Sequence, residues 1–154
     1  MKRSTVKSES SAKTANMTGS LYVDSNVLIY YVHGSSEFKS LAENTLMSIV
    51  GSGRRLFSSE ITLGECLRGV ARTAPDLSDI FLEVLGNASF ISLEPVNLSL
   101  IKRAAFLGAE LNMKLIDAIH VATAEALGCD AFLTNNRGIR APAGIELRYL
   151  SSNV

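Results

Sequence analysis

The sequence predicts an α/β domain in which a mostly parallel sheet of about five strands is flanked by helices on both faces. Three observations carry that expectation. Short apolar runs alternate with longer segments of helical periodicity. Glycine or asparagine punctuates the ends of the helical segments, at Gly51-Ser52-Gly53, Gly86-Asn87 and Gly128. Strands separated by helical crossovers pair in parallel through right-handed connections.

The elements follow in order. Leu21 to Asp24 is a short apolar strand. Val27 to Val32 and Phe38 to Val50 read as helices, the second with Leu41, Thr45 and Ile49, and Phe38 with Leu46, spaced for one face. Leu56 to Ser58 is the next strand, Ile61 to Arg72 a helix, and Pro75-Asp76 opens another helix through Leu85. Phe90 to Leu93 is a third strand. Leu98 to Leu111 is a helix with Leu100, Ala104, Leu107 and Leu111 on one stripe and Asn97 as its N-cap. Leu115 to Leu127 is helical, Ala131 to Thr134 is a fourth strand, and Ile145 to Leu150 supplies a fifth. Residues 21–154 form one domain.

Residues 1–20 carry one acid and four bases among many Ser and Thr, with almost no large apolar side chain. Such a segment cannot bury enough surface to fold, so it is read as a flexible tail. Its composition overlaps with that of organelle transit peptides but shows no amphipathic face. Met17, just ahead of the first strand, fits an upstream start-site extension equally well.

Charge balance excludes one class of partner. The chain holds 15 Lys plus Arg against 15 Asp plus Glu, so no global field draws it to nucleic acid or to an anionic membrane. A polyanion must be gripped locally. Cys66 and Cys129 both sit in apolar surroundings and read as reduced core residues, which implies a reducing compartment and a cytoplasmic location. No apolar run approaches the ~20 residues needed to span a bilayer, so no membrane partner is expected.

Three carboxylates lie among apolar neighbours. Asp24 follows Leu21-Tyr22-Val23, Glu65 lies in Ile61-Thr62-Leu63-Gly64-Glu65-Cys66, and Asp117 in Leu115-Ile116-Asp117-Ala118-Ile119-His120. A buried charge needs a partner, and three acids at strand ends and early helix turns suggest a divalent cation at a switch point of the sheet. Taken singly, each has a structural alternative. Asp24 can cap the first helix. Glu65 can close a capping box with Thr62, or pair with Arg68. Asp117 is favoured in a first helical turn without any metal. His120 shares a face with Asp117, but with no second histidine nearby it reads as a packed residue at the site edge, not a zinc ligand. His33 reads as a helix-end residue and Asp130 as structural. Arg68 with Arg72, and Arg137 with Arg140, are local basic pairs suited to phosphate or to a solvated surface.

The series Val23-Asp24-Ser25-Asn26-Val27-Leu28-Ile29, Thr62-Leu63-Gly64-Glu65, Asp117-Ala118-Ile119-His120-Val121-Ala122-Thr123-Ala124 and Leu133-Thr134-Asn135-Asn136-Arg137 resembles PIN-domain ribonucleases, most of all the VapC-type toxins of toxin–antitoxin modules. The resemblance spans roughly residues 21–150 in the right order. It implies a compact three-layer parallel α/β domain, usually a homodimer, that binds magnesium or manganese and hydrolyses RNA phosphodiesters. Asp24, Glu65 and Asp117 match the family's three core acids. A fourth acid commonly follows Thr-Asn, and Asn136 stands there instead, as a weak or outer ligand that puts a second metal in doubt. Asn26 and Thr134 are expected to hydrogen-bond behind the ligands, and Arg68 and Arg137 to meet substrate. The family resemblance also implies a cognate antitoxin that covers the acidic pocket. Two alternatives remain at this point: a catalytically impaired RNA-binding or assembly module, favoured by Asn136, and a phosphoacceptor receiver, disfavoured because Asp24 has no adjacent acid.

Overall fold

The computed structural model describes residues 19–150. Five strands, β1 (Ser20–Val23), β2 (Arg55–Ser59), β3 (Ser92–Glu94), β4 (Ala131–Thr134) and β5 (Glu146–Tyr149), form one sheet in the order β3-β2-β1-β4-β5, every neighbouring pair parallel. Six helices connect them: α1 (Ser25–His33), α2 (Ser36–Gly51), α3 (Glu60–Val70), α4 (Leu77–Leu85), α5 (Leu98–Leu111) and α6 (Leu115–Ala126). The expected α/β architecture is present. From β1 the chain steps outward to β2 and β3, then returns to the other side of β1 with β4 and β5. The order therefore reverses between β1 and β4, where the loops after two adjacent strands diverge and leave a crevice.

Side chains alternate across the central strands, and this divides the core into two layers. Leu21 and Val23 of β1 and Ala131 and Leu133 of β4 point to one face, against Val27, Leu28, Ala42, Leu46, Cys66, Val70, Phe81 and Leu85. Tyr22 and Phe132 point to the other, among Leu100, Ala104, Leu107, Ala118, Val121 and Ala122 of α5 and α6. β4 is buried throughout and β1 from Leu21 onward, as a sheet covered on two faces requires. Each helix covers its face with the stripe its spacing provides. In α5, Leu100, Ala104 and Leu107 are buried, while Phe106 stays 73% exposed.

Boundaries differ from the sequence reading in instructive ways. β1 begins at Ser20, inside the segment read as a tail; the rest of that segment, residues 1–18, lies outside the described residues, as do residues 151–154. α3 begins at Glu60 with Ser59 as N-cap, its hydroxyl accepting from the Ile61 amide, so Thr62 is an interior residue and does not form a capping box with Glu65. α3 ends at Val70, which leaves Arg72 beyond the helix and dissolves the shared face with Arg68. α4 starts at Leu77, because Pro75 and Asp76 spend their backbone on the turn that precedes it. Phe90 and Ile91 also belong to a turn, with both amides bonded back to the Asn87 carbonyl, and β3 runs only from Ser92. β5 is confirmed, but residues 135–145 reach it without a helix, pinned by the fully buried Ile139.

Gly128 closes α6 with φ +68°, the Gly128 amide bonding to Glu125 and the Cys129 amide to Ala124. That left-handed turn delivers the chain straight into β4. Gly128→Ala is expected to lower stability by about 1 kcal/mol in urea unfolding, whereas Gly69→Ala, within α3 with nothing near its added methyl, raises it by about 0.5–1 kcal/mol. Equal shifts for the two would contradict this assignment.

Candidate active site

The crevice beside β1 and β4 is where the predicted residues meet. Asp24 ends β1 and caps α1, its Oδ1 accepting from the Ser25 amide at 2.8 Å. Its Oδ2 accepts from the Thr134 hydroxyl at 2.7 Å and from the Asn26 side-chain amide at 3.0 Å. Asp24 is 2% exposed, so these donors replace the water that a carboxylate otherwise requires. Thr134 ends β4, accepts from the Asn136 amide, and takes a longer bond from Asn26. Asn26 also receives the Asn135 amide on its Oδ1. Asp24 therefore caps α1 with one oxygen and takes the Thr134 and Asn26 donors on the other. Asn26 and Thr134 stand behind the carboxylate as the sequence suggested.

Glu65 reaches the same crevice from α3 and is paired with neither Thr62 nor Arg68. Its Oε1 lies 2.6 Å from His120 Nε2, and that nitrogen is 3.7 Å from Asp24 Oδ1. His120, 1% exposed on α6, also places Nδ1 2.7 Å from the Tyr22 hydroxyl. Burial works to raise the Glu65 carboxyl, but the hydrogen bond and charge of His120 hold it below the ordinary value. Burial likewise works to lower His120, yet Glu65, with the charges of Asp24 and Asp117, holds it above the ordinary imidazole value. The sequence reading left His120 at the margin and missed Tyr22 altogether. A lone tyrosine in a buried strand was the available signal, since its hydroxyl must find a partner.

Asp117 occupies the first turn of α6. Its carboxyl is raised, first by burial and then by the negative charge of Asp24, with Glu65 adding to it. Asn136 offsets this by donating its side-chain amide at 3.3 and 3.4 Å, while its own Oδ1 accepts from the Gly138 amide at 2.9 Å. The structure thus turns the N–H side of Asn136, and not its carbonyl oxygen, toward the acid. Arg68 is exposed on α3. Arg137 is exposed beside Asn136, with its guanidinium 3.8 Å from the Tyr149 ring centre. Arg140 braces its own loop through the Arg137 and Ile139 carbonyls. Asp130, at the opposite end of β4, pairs with Arg54 and is structural as expected.

Carboxylate oxygens prevail in the donor set, which is the chemistry a hard divalent cation takes, and Asp117 is raised first by burial and then by the charge of Asp24. Among the described residues, no group of three His, Cys, Asp or Glu side chains is placed in this structure so that it could hold a metal ion. Glu65 and Asp117 are each held by a neighbouring N–H.

The class is that of a parallel α/β domain in which Asp24 after β1, Glu65 of α3 and Asp117 of α6 lie near the reversal of strand order. The PIN-domain family profile matches residues 21–145, and the chain belongs to that family. Individual curated proteins give no significant match. Among solved structures, VapBC2 from Rickettsia felis bound to a promoter DNA fragment is similar at TM-score 0.64 and 16% identity, covering 84% of this chain and 98% of that one. The sarcin-ricin loop cleaving toxin VapC20 from Mycobacterium tuberculosis is similar at TM-score 0.61 and 15% identity, covering 73% and 86%. A toxin–antitoxin complex from Klebsiella pneumoniae follows at TM-score 0.59 and 20% identity, covering 81% and 94%. No helix among the described residues is long and apolar enough to cross a membrane.

The Glu65–His120 pair has a defined pH window. Its stabilisation is complete between the ordinary Glu value of 4.5 and the ordinary His value of 6.5. It is lost as pH rises through the raised His120 value and as pH falls through the lowered Glu65 value. In chelator, the stability difference between wild type and His120→Gln is expected to be largest inside that window and to shrink on both sides. A difference independent of pH in urea titrations would refute the pairing.

Proposed function

We propose that this protein is a divalent-metal-dependent endoribonuclease and the toxin of a toxin–antitoxin pair. The observation that carries the reading is the convergence of Asp24, Glu65 and Asp117 on one crevice, where burial first, and then the charge of Asp24, raises Asp117. Such a cluster is stabilised by positive charge, and the family is one of nucleases. Asp24, Glu65 and Asp117 are the residues that would hold magnesium or manganese. When bound, the cation lowers the pKa of a coordinated water and offsets charge on the phosphate.

The chain's own groups do the rest. Asp24 is fixed by Thr134, Asn26 and the Ser25 amide, so it presents its carboxylate without rearrangement. Asp24 or Asp117 orients the attacking water. Asn136 steadies Asp117 through its N–H groups and serves at most as a weak or outer ligand. Arg137 and Arg68 supply exposed cations for the phosphates that flank the scissile bond. The Rickettsia and Klebsiella relatives are toxin–antitoxin assemblies. On that analogy a cognate antitoxin covers this acidic crevice, the toxin acts as a homodimer, and the site of action is the cytoplasm.

Asn136 favours one second reading, a PIN-like module that binds RNA or a partner with impaired catalysis. The two separate in a cleavage assay on a mixed structured RNA. Wild type is expected to cut with magnesium or manganese and not with chelator, and Asp24→Asn to reduce the rate by about 100-fold or more. RNA binding without cleavage under every metal condition would instead support the module. Asn136→Asp adds a carboxylate beside Asp117, and manganese affinity is expected to rise about 10-fold by calorimetry. An unchanged affinity would show that position 136 lies outside the metal's reach.

A further inference from the structure

We propose that Tyr22 and His120 form a positioning relay that holds the Glu65 carboxylate at its place in the site. The inference rests on the metal-dependent reading above. Asp24 is immobilised by its own backbone turn and by Thr134. Glu65 is held instead through side-chain contacts. It is a longer side chain, 36% exposed, carried by α3 and not by β1, and an unrestrained glutamate swings among rotamers at an entropic cost to any ligand that needs it fixed.

His120 supplies the restraint. A carboxylate only accepts, so across the 2.6 Å contact with Glu65 Oε1 it is His120 Nε2 that carries the hydrogen and donates it. This holds whether the ring is neutral or charged. The ring orientation is fixed at its far nitrogen, where the Tyr22 hydroxyl lies 2.7 Å from Nδ1. Tyr22 cannot drift: it is fully buried, and its ring stacks on Phe132 with centroids 4.9 Å apart and planes 16° apart. Ser58 and Thr62, whose hydroxyls bond each other at 2.7 Å, are further polar neighbours of its hydroxyl. The Ser25 hydroxyl is a second contact for Glu65.

The consequence is geometric. Tyr22 and Asp24 are two residues apart on the same rigid strand, so β1 carries one ligand directly and braces a second through His120. The Nε2–H group also lies 3.7 Å from Asp24 Oδ1, which places it between two carboxylates that would otherwise repel. Groups that orient metal ligands in this way typically change affinity by about 10–100-fold when removed.

The test is manganese binding by the full chain, read from the paramagnetic resonance signal of free Mn2+, with RNA cleavage and thermal melting in parallel. Tyr22→Phe, which keeps the ring and removes only the hydroxyl, is expected to weaken Mn2+ binding about 10-fold. The same substitution placed on Glu65→Gln is expected to change affinity less than about 2-fold, because the relay then has nothing to position. His120→Gln, which retains an N–H donor, is expected to keep more affinity than His120→Leu. Equal weakening by Tyr22→Phe in both backgrounds, or wild-type affinity in Tyr22→Phe, would overturn the relay. A glutamine at 120 no better than leucine would do the same, and that comparison stands even where Tyr22→Phe does not fold. Wild-type protein that neither binds Mn2+ nor cuts RNA removes the metal reading and the relay together, whereas wild-type binding and cleavage with an indifferent Tyr22→Phe removes the relay alone.

Discussion

Everything in the crevice depends on keeping the Asp24 carboxylate in the interior. A carboxylate almost wholly withdrawn from water must recover its lost hydration from fixed donors. Here they come from three directions: the Ser25 amide at the start of α1, Asn26 one residue further, and Thr134 at the end of β4. Two of the donors are local, but Thr134 is not. It comes within reach only because β1 and β4 pair in parallel, with Val23 opposite Leu133. The sheet register and the placement of the first acid are thus one constraint.

A second consequence of that burial spreads outward. With Asp24 fixed, Glu65 and Asp117 enter a region that is already negative, and each acquires its own compensating partner, His120 for one and Asn136 for the other. The two partners differ in kind. His120 is able to carry positive charge and holds Glu65 low, whereas Asn136 offers only dipoles and leaves Asp117 raised. The three acids are therefore chemically unequal before any ligand arrives, and the inequality is built by neighbours on α6 and in the loop after β4.

Much of this was legible in the sequence, for definite reasons. Alternating apolar runs and helical stripes located all five strands and six helices, because both periodicities follow directly from burial on two faces. Ala131–Thr134 and Leu98–Leu111 coincide with the structure. Boundaries moved where capping competes: Ser59, not Thr62, begins α3, since the hydroxyl that meets the first free amide is set by where the preceding strand ends. The acids themselves were found by their apolar context. What spacing cannot convey is which group compensates each acid. Glu65 had a helical neighbour in Arg68, yet its partner is His120, distant in sequence and supplied by packing of α6 against the sheet. Asn136 was read as an oxygen donor, and only the loop geometry, with Gly138 taking its carbonyl, turns its N–H groups inward.

The register between β1 and β4 also sets when the site comes into being. Asp24 emerges early in synthesis, but its Thr134 donor lies 110 residues further along, and Asp117 is supplied only after α5. Until β4 has been made and has docked beside β1, the early acid has no interior to occupy and the cluster does not exist. A chain arrested just before Thr134 already carries all three acids but not the hydroxyl that holds Asp24, so the crevice is completed only when the last strands of the sheet are in place.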